Sequence, residues 1–554
     1  MPKPAKRILI LMTAVFLLLT FCATEVLRIA VWNDSLAKTA VMQQTLTLTF
    51  TSGRGSIYDR NLQPLTGGKT SYLAAVVPGK ETAAALSKVL TAQQMSSVYD
   101  RLKAGAPFLT KLDALVETDG ILCFPEQERY PEQMPAAHLI GYLDSGGCGI
   151  SGVEKAFNSL LTAGSKTTKI TYQVDALRHL LPGESPQVLS SVSGAAAGVV
   201  LTIDKDLQKI VEDSAAPVLK KGAVVVLEAG TGRILASASF PNYDPTDITK
   251  ALKSDDGALV NRVLQPYSVG SVFKLAAAAA ALEHGADPNA KYTCTGSETV
   301  EGLTFHCAGG EAHGTETMCS ALANSCNCYF IKLMQAVPQA QFLTMARSLG
   351  FGQSTEIAPG LSGSAGTLPA LSELANRRAL ANFSIGQGTL LATPLQIAAM
   401  VNAVASQGIY TQPTVYAGQA DGTGHLSVQA SLQKGVPVFS HRSAQLLCSF
   451  MQESMASGTS RPGRPVHVKA AAKTGTAQTG HFTDGKEELI CWYTGFFPVD
   501  TPKYVVTVLS EGGESGGKTC GPVFQKIADA LYPHEIDNTE DCVYNNPIKN
   551  VKKQ

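Results

Sequence analysis

At 554 residues the chain is long enough for two or more domains and a large core. Its 45 basic and 45 acidic residues cancel, which removes any electrostatic case for a nucleic-acid partner. Charged residues make up only 16% of the chain against 45% hydrophobic, a balance that excludes a largely disordered protein.

At the N-terminus Lys3, Lys6 and Arg7 precede the apolar run Ile8 to Ala23. That run falls short of the roughly 20 residues of a full membrane span, and extension through Val26 and Leu27 towards Trp32 supplies the rest. The reading is a short cytoplasmic tail at 1–7 and an uncleaved anchor at 8–30. A cleaved signal peptide competes with it, but Phe21 stands where cleavage before or after Cys22 and Ala23 calls for small residues. The basic flank predicts that the N-terminus stays inside and the remainder lies outside the membrane.

Thr45-Leu-Thr-Leu-Thr-Phe alternates as a strand does and leads into the turn-rich stretch Gly53-Arg54-Gly55-Ser56-Ile57-Tyr58-Asp59-Arg60-Asn61. Lys80 to Ala104 predicts one or two helices. His138, in Ala137-His138-Leu-Ile-Gly141, invites a catalytic reading, but a structural histidine is favoured. Residues 31–190 read as one region, without the acidic motif that a glycosyltransferase domain would carry.

A second region spans 195–535. Val199 to Asp204 reads as an apolar strand and the residues from Lys205 as an amphipathic helix. Gly222–Leu227 and Arg233–Ser239 flank a Gly-rich turn as a hairpin, with alternation lost because both faces are covered. Ile490–Phe497 and Lys503–Ser510 are two further strands, and a closing helix follows Cys520. Hairpins at both ends with helical insertions between predict an α+β sheet covered by helices. The polar stretch 536–554 is a loosely ordered tail.

The chemistry concentrates in three places. Gly270 precedes Ser271, and an alanine-rich run after Lys274 predicts a helix from Leu275 to Glu283 with Ser271 in its first turn. Positions i and i+3 share a helix face, so the Lys274 amine lies beside the Ser271 hydroxyl, and a desolvated lysine can take the proton of a serine nucleophile. Ser-x-x-Lys alone arises by chance in most chains of this length. Downstream come Ser325-Cys326-Asn327 and Lys473-Thr474-Gly475-Thr476. In isolation the first is a plausible helix cap and the second a strand end.

Together and in this order, Ser271-x-x-Lys274, Ser325-x-Asn327 and Lys473-Thr474-Gly475 form the signature set of the penicillin-interacting serine enzymes. The chain resembles a class B penicillin-binding protein, with the Arg54 to Asn61 stretch, the segments Arg129–Tyr142 and Gly149–Phe157, and Ser384-Ile-Gly386-Gln387-Gly388 adding to the likeness. The resemblance implies an antiparallel five-stranded sheet with a helical subdomain, set on an elongated N-terminal pedestal. It implies that Ser271 attacks the penultimate D-Ala carbonyl of a stem peptide, that Lys274 is the base, and that Ser325 bridges Lys274 and Lys473. Asn327 then holds the substrate amide, Lys473, Thr474 and Thr476 bind the terminal carboxylate, and Gly475 lets the strand approach. It further implies β-lactams as acylating ligands, no cofactor or metal, and a glycosyltransferase partner in the elongation, division or sporulation machinery.

The competing functions are a D,D-carboxypeptidase or β-lactamase on the same scaffold, and a β-lactam sensor or inactive scaffold. The length and the single apolar run stand against the first pair and the sensor, and the intact motifs against the dead scaffold. Ser384–Gly388 and Thr393-Pro394-Leu395-Gln396 read as supporting scaffold, while His313-Gly314 matches a family position without a clear role. The twelve cysteines show no zinc spacing, Cys326-x-Cys328 being too tight, and most read as buried small hydrophobes. Relatives often place cysteines where Cys294 and Cys307 stand, which leaves two readings open, a bridge between them or a pair of buried thiols.

Overall fold

The computed structural model describes residues 3–32 and 44–533 except 193, 196 and 484; the polar tail expected at 536–554 lies outside them. An N-terminal helix, Lys3–Trp32, contains the apolar segment Pro4–Ile29, 26 residues and long enough to cross a membrane. Its described side chains are almost all exposed, and Arg28 pairs with Glu25 at 2.9 Å near its end.

The chain divides into two compact units. The first gathers Met1–Arg54, Gly67–Arg129 and Ala163–Ala195. Here Thr45–Ser52, Lys166–Gln173 and Gln187–Val192 form an antiparallel sheet with Lys166–Gln173 in the middle. Leu46, Leu48 and Phe50 pack towards Ile170 and Tyr172, while Thr47 meets Thr171 on the other face, as the alternation requires. A second sheet, Phe108–Leu112, Thr70–Val76 and Ile121–Gln127, carries the two helices Lys80–Val89 and Ala92–Ala104. Thr91 begins the latter with a capping box closed by Gln94.

Segments Gly55–Thr66 and Tyr130–Thr162, read from the sequence as part of one 31–190 region, cluster instead with the second unit. The reason is apolar. Ile57, Leu65, Tyr130, Met134, Leu139, Ile140 and Val153 all enter that unit's main core. Asp59 is buried and accepts from the backbone N–H groups of Asn61 and Gln63 at 2.8 and 2.7 Å, and Arg60 pairs with Glu228, so both are structural.

The second unit is built on five strands: β1 (Gly222–Glu228), β2 (Ile234–Phe240), β3 (Ala471–Thr483), β4 (Lys486–Phe497) and β5 (Tyr504–Glu511). They lie in the order β2-β1-β5-β4-β3, all antiparallel. Along β1 the side chains split between two cores: Ala223, Val225 and Leu227 face one, Val224 and Val226 the other. The first core includes the helices Lys274–Glu283 and Pro394–Ala405; the second includes Lys205–Ala215 and Gly521–Leu531. Burial on both faces explains why the strand lost its alternation. The arrangement leaves β3 as the edge strand beside the helical insertion.

Candidate active site

The alanine helix runs from Lys274 to Glu283, and its first eight residues are buried. Ahead of it Gly270–Phe273 form a single 3₁₀ turn that carries Ser271. Gly270 has φ +62°, and a Cβ there would stand 2.8 Å from the Thr476 carbonyl. On the facing strand a Cβ at Gly475 would meet Val272 Cγ1 at 3.0 Å. Only two glycines let turn and strand come this close. Behind the turn, Gly270 N–H donates to the Gly386 carbonyl at 2.8 Å and Trp492 Nε1 donates to the Ser268 carbonyl at 2.8 Å.

Lys274 is fully buried, and its Nζ donates to Ser271 Oγ (3.1 Å), Ser325 O (2.6 Å), Ser325 Oγ (3.3 Å) and Asn327 Oδ1 (2.7 Å). Burial lowers its pKa to about 8, against the pull of the thiols of Cys326, Cys307 and Cys328. Ser325 and Asn327 reach it because the chain breaks helix between them and the preceding helix. Met318–Ala323 ends, Ser325 takes φ +58°, and Asn327–Met334 begins. A non-glycine residue in that left-handed region costs about 1–2 kcal/mol. Asn327 is held from its other end by the His306 carbonyl, which accepts from Nδ2 at 2.8 Å.

Lys473 is likewise fully buried, and burial together with the Lys274 charge holds its amine well below the usual lysine range. Its Nζ donates to the Thr474 carbonyl at 2.8 Å. The bridge expected of Ser325 is therefore half made: its hydroxyl is in hydrogen-bonding distance of Lys274 but not of Lys473. Thr474 Oγ1 donates to Thr459 Oγ1 (2.7 Å), a residue the sequence did not single out, and Thr476 Oγ1 accepts from Gly516 N–H (3.2 Å).

The supporting stretches fall into place around this centre. Thr393 and Gln396 form a capping box, and Gln396 Nε2 donates to the carbonyls of Gly350 and Gln353 in one loop and Ala365 in another, drawing the two together. His138 is buried with Nε2 2.7 Å from the Ala258 carbonyl and its ring edge-on to Tyr243. Burial lowers its pKa to about 4, with the Arg262 charge helping and the Ala258 bond opposing. It has no contact with Ser271 and is structural.

A bridge between Cys294 and Cys307 is not formed: both are free thiols with their sulfurs 3.7 Å apart. Linear spacing also missed a convergence, since Cys294, Cys307, His313 and Cys326 bring their donor atoms within 4.8 Å of one another.

Residues 222–529 match the profile described as the penicillin binding protein transpeptidase domain. The chain is 30% identical over 500 residues to penicillin-binding protein PbpB of Mycolicibacterium smegmatis, covering 83% of this chain and 74% of that one. It is 26% identical over 536 residues to stage V sporulation protein D of Bacillus subtilis, covering 90% and 80%. Against peptidoglycan D,D-transpeptidase MrdA of Salmonella typhimurium it is 26% identical over 570 residues, covering 88% and 89%. Among solved structures, penicillin binding protein 3 of Mycobacterium tuberculosis complexed with aztreonam superposes with TM-score 0.65 at 24% identity, over 87% of this chain and 96% of that one. PBP2 of Helicobacter pylori, in its complex with MreC, gives 0.67 at 24%, over 88% and 99%. At that identity the structural likeness speaks for the fold.

Proposed function

Because this chain belongs to the class B penicillin-binding proteins of the transpeptidase family, we infer how its own residues carry out the family's reaction. The reaction is serine-type D-Ala-D-Ala transpeptidation of peptidoglycan stem peptides. Ser271 Oγ attacks the penultimate D-Ala carbonyl, and its proton passes to Lys274 Nζ. The backbone N–H groups of Ser271 and Thr476 receive the oxyanion. Collapse breaks the peptide C–N bond, the terminal D-Ala leaves as an amine protonated through Ser325, and the amine of a second stem peptide then displaces Ser271. Asn327 aligns the substrate amide, and Lys473, Thr474 and Thr476 hold the terminal carboxylate, with Gly475 keeping the strand close. The observation that carries this reading is the fully buried Lys274 amine between the Ser271 and Ser325 hydroxyls, at 3.1 and 3.3 Å.

The N-terminal helix anchors the protein to a membrane. Lys3, Lys6 and Arg7 support an orientation with this end cytoplasmic and the catalytic unit outside. PBP2 of Helicobacter pylori forms a complex with MreC. For this chain a glycosyltransferase of the elongation, division or sporulation machinery is the partner proposed, since cross-linking needs new glycan strands. The test is mass spectrometry of the detergent-solubilised full chain after labelled penicillin. One slowly released adduct on Ser271 is expected, and none in Ser271→Ala. An adduct on another residue refutes the assignment, and release within seconds shifts the function to a β-lactamase.

A further inference from the structure

The donor cluster beside the Ser325 turn is drawn from four separate places in the chain. Cys294 ends the short strand Tyr292–Cys294, and Cys307 follows the hairpin strand Leu303–His306. His313 precedes the strand Gly314–Glu316, and Cys326 caps the helix Asn327–Met334. The three cysteines are buried. Cys294 and Cys307 sulfurs are 3.7 Å apart, Cys307 and Cys326 sulfurs 3.8 Å, and Cys294 Sγ lies 3.5 Å from His313 Nδ1.

Those separations have a specific meaning. A disulfide needs sulfurs at about 2.05 Å. A tetrahedral zinc ion with Zn–S bonds of about 2.3 Å and Zn–N of about 2.0–2.1 Å spaces its ligands at roughly 3.8 Å for S···S and 3.6 Å for S···N. The three separations above are edges of that tetrahedron. The surroundings also suit thiolates: Gly296 N–H donates to Cys294 Sγ and Tyr329 N–H to Cys326 Sγ, each at 3.4 Å. Cys328 Sγ stands 3.5 Å from Cys307 Sγ, within reach of an S–H···S contact in which either sulfur can donate. Hydrogen bonds of this kind orient metal-bound sulfur.

We propose that Cys294, Cys307, His313 and Cys326 form a closed, structural site for a zinc-type divalent cation. Three sulfurs and one imidazole select a soft, tetrahedral ion, and four protein ligands leave no position open for substrate. The consequence reaches the active site through one residue. Cys326 lies between Ser325 and Asn327, both bonded to Lys274. A metal at Cys326 pins that strained turn to the hairpin ending at Cys307, so its role is positioning. The metal assignment is independent of the transpeptidase reading; its effect on acylation rests on that reading.

The test uses the full chain, purified in detergent without chelator and with thiols kept reduced. Elemental analysis should return one zinc per chain. Cobalt(II) exchanged into the site should show the visible d–d and sulfur-to-metal charge-transfer bands of a tetrahedral thiolate centre. Cys294, Cys307 and Cys326 should resist alkylation until zinc is stripped, then react together. Cys307→Ser should lose the metal; in case that variant unfolds, His313→Ala keeps the three thiolates and should bind zinc at least about tenfold more weakly. Cys448→Ser, outside the cluster, should keep its zinc. Zinc below about a tenth of an equivalent, free alkylation without chelator, recovery of any two of the three cysteines as a disulfide, or full zinc in Cys307→Ser each overturns the site. Slowed penicillin acylation after stripping supports the positioning role, and unchanged acylation overturns that role alone. An adduct away from Ser271 would instead refute the catalytic reading.

Discussion

Replacing Gly386 with alanine tests whether the nucleophile turn is held from behind. Gly386 has φ +77°, where an L side chain costs about 1–2 kcal/mol. Its added Cβ would lie 2.0 Å from the Gly270 carbonyl oxygen and 2.9 Å from Phe273 Cβ. Relieving that contact requires a movement of about 1 Å, at an overpacking cost of about 1–3 kcal/mol. Gly270 cannot simply retreat, because Thr476 stands on its other side, 2.8 Å from where its own Cβ would be. The displacement therefore passes to Ser271, and an error of about 1 Å at a nucleophile costs on the order of 100-fold in rate. Gly388→Ala is the control: it shares the left-handed conformation, at φ +83°, but its Cβ meets nothing nearer than Asn382 Cβ at 3.3 Å. The total of about 2–5 kcal/mol should lower the melting temperature of Gly386→Ala by roughly 5–10 °C, and the control by a few degrees. Penicillin acylation, followed as a time course on the same samples, should slow about 100-fold in the first and little in the second. Wild-type acylation by Gly386→Ala, with melting like the control, would refute the reasoning.

Lys274→Ala should slow acylation by about three or more orders of magnitude while near-ultraviolet circular dichroism stays native, since activation and not packing is lost. Lys473→Ala should weaken β-lactam capture, read as a raised half-saturating concentration, and slow acylation too; an unchanged concentration dependence would remove Lys473 from the carboxylate site. His138, with its folded pKa of about 4 below the unfolded value near 6.5, favours the folded state fully above pH 6.5 and loses that contribution as pH falls towards 4. The loss between pH 7.5 and 5 is about 2 kcal/mol, and His138→Gln should flatten this part of the melting profile. N-terminal sequencing of membrane-extracted protein should find a start before Ile8; a start beyond Ala23 would make the apolar helix a cleaved leader.

The reach of the sequence follows the distance over which each feature is encoded. Ser271 and Lys274 are one helical turn apart, so their meeting was legible from local periodicity, as were the hairpin of β1 and β2 and the strands β4 and β5. The likeness of three motifs in order joined Ser325, Asn327 and Lys473 to them, although nothing local would have done so. Chain order alone groups Gly55–Thr66 and Tyr130–Thr162 with the residues around them, whereas their apolar side chains join the core of the second unit, a tertiary fact that local sequence does not encode. Thr459 was missed for a similar reason, its bond to Thr474 being purely tertiary. The left-handed Ser325 was invisible because nothing about serine announces a positive φ, whereas Gly270 and Gly386 at least permit one.

The choice of Cys326 as a helix cap ties the strained serine to the thiol cluster. Oxygen-bearing side chains are the strong caps, worth about 1 kcal/mol, because they accept well from the exposed N–H groups of a first turn. Elsewhere this chain uses them: Thr91, Thr317, Thr393 and Ser440 all cap helices. At the one cap adjoining Ser325 it uses sulfur, whose bond to the Tyr329 N–H is long at 3.4 Å. Helix stability alone would favour serine there. What sulfur adds is reach to Cys307, 3.8 Å away, and with it a second anchor for a turn that must stay strained to keep Ser325 on Lys274. A turn held on one side only by a weak cap would relax towards ordinary φ and carry the Ser325 carbonyl and hydroxyl off the lysine. The sulfur cap and the left-handed serine are therefore two parts of one device, and its output is the position of the Lys274 amine.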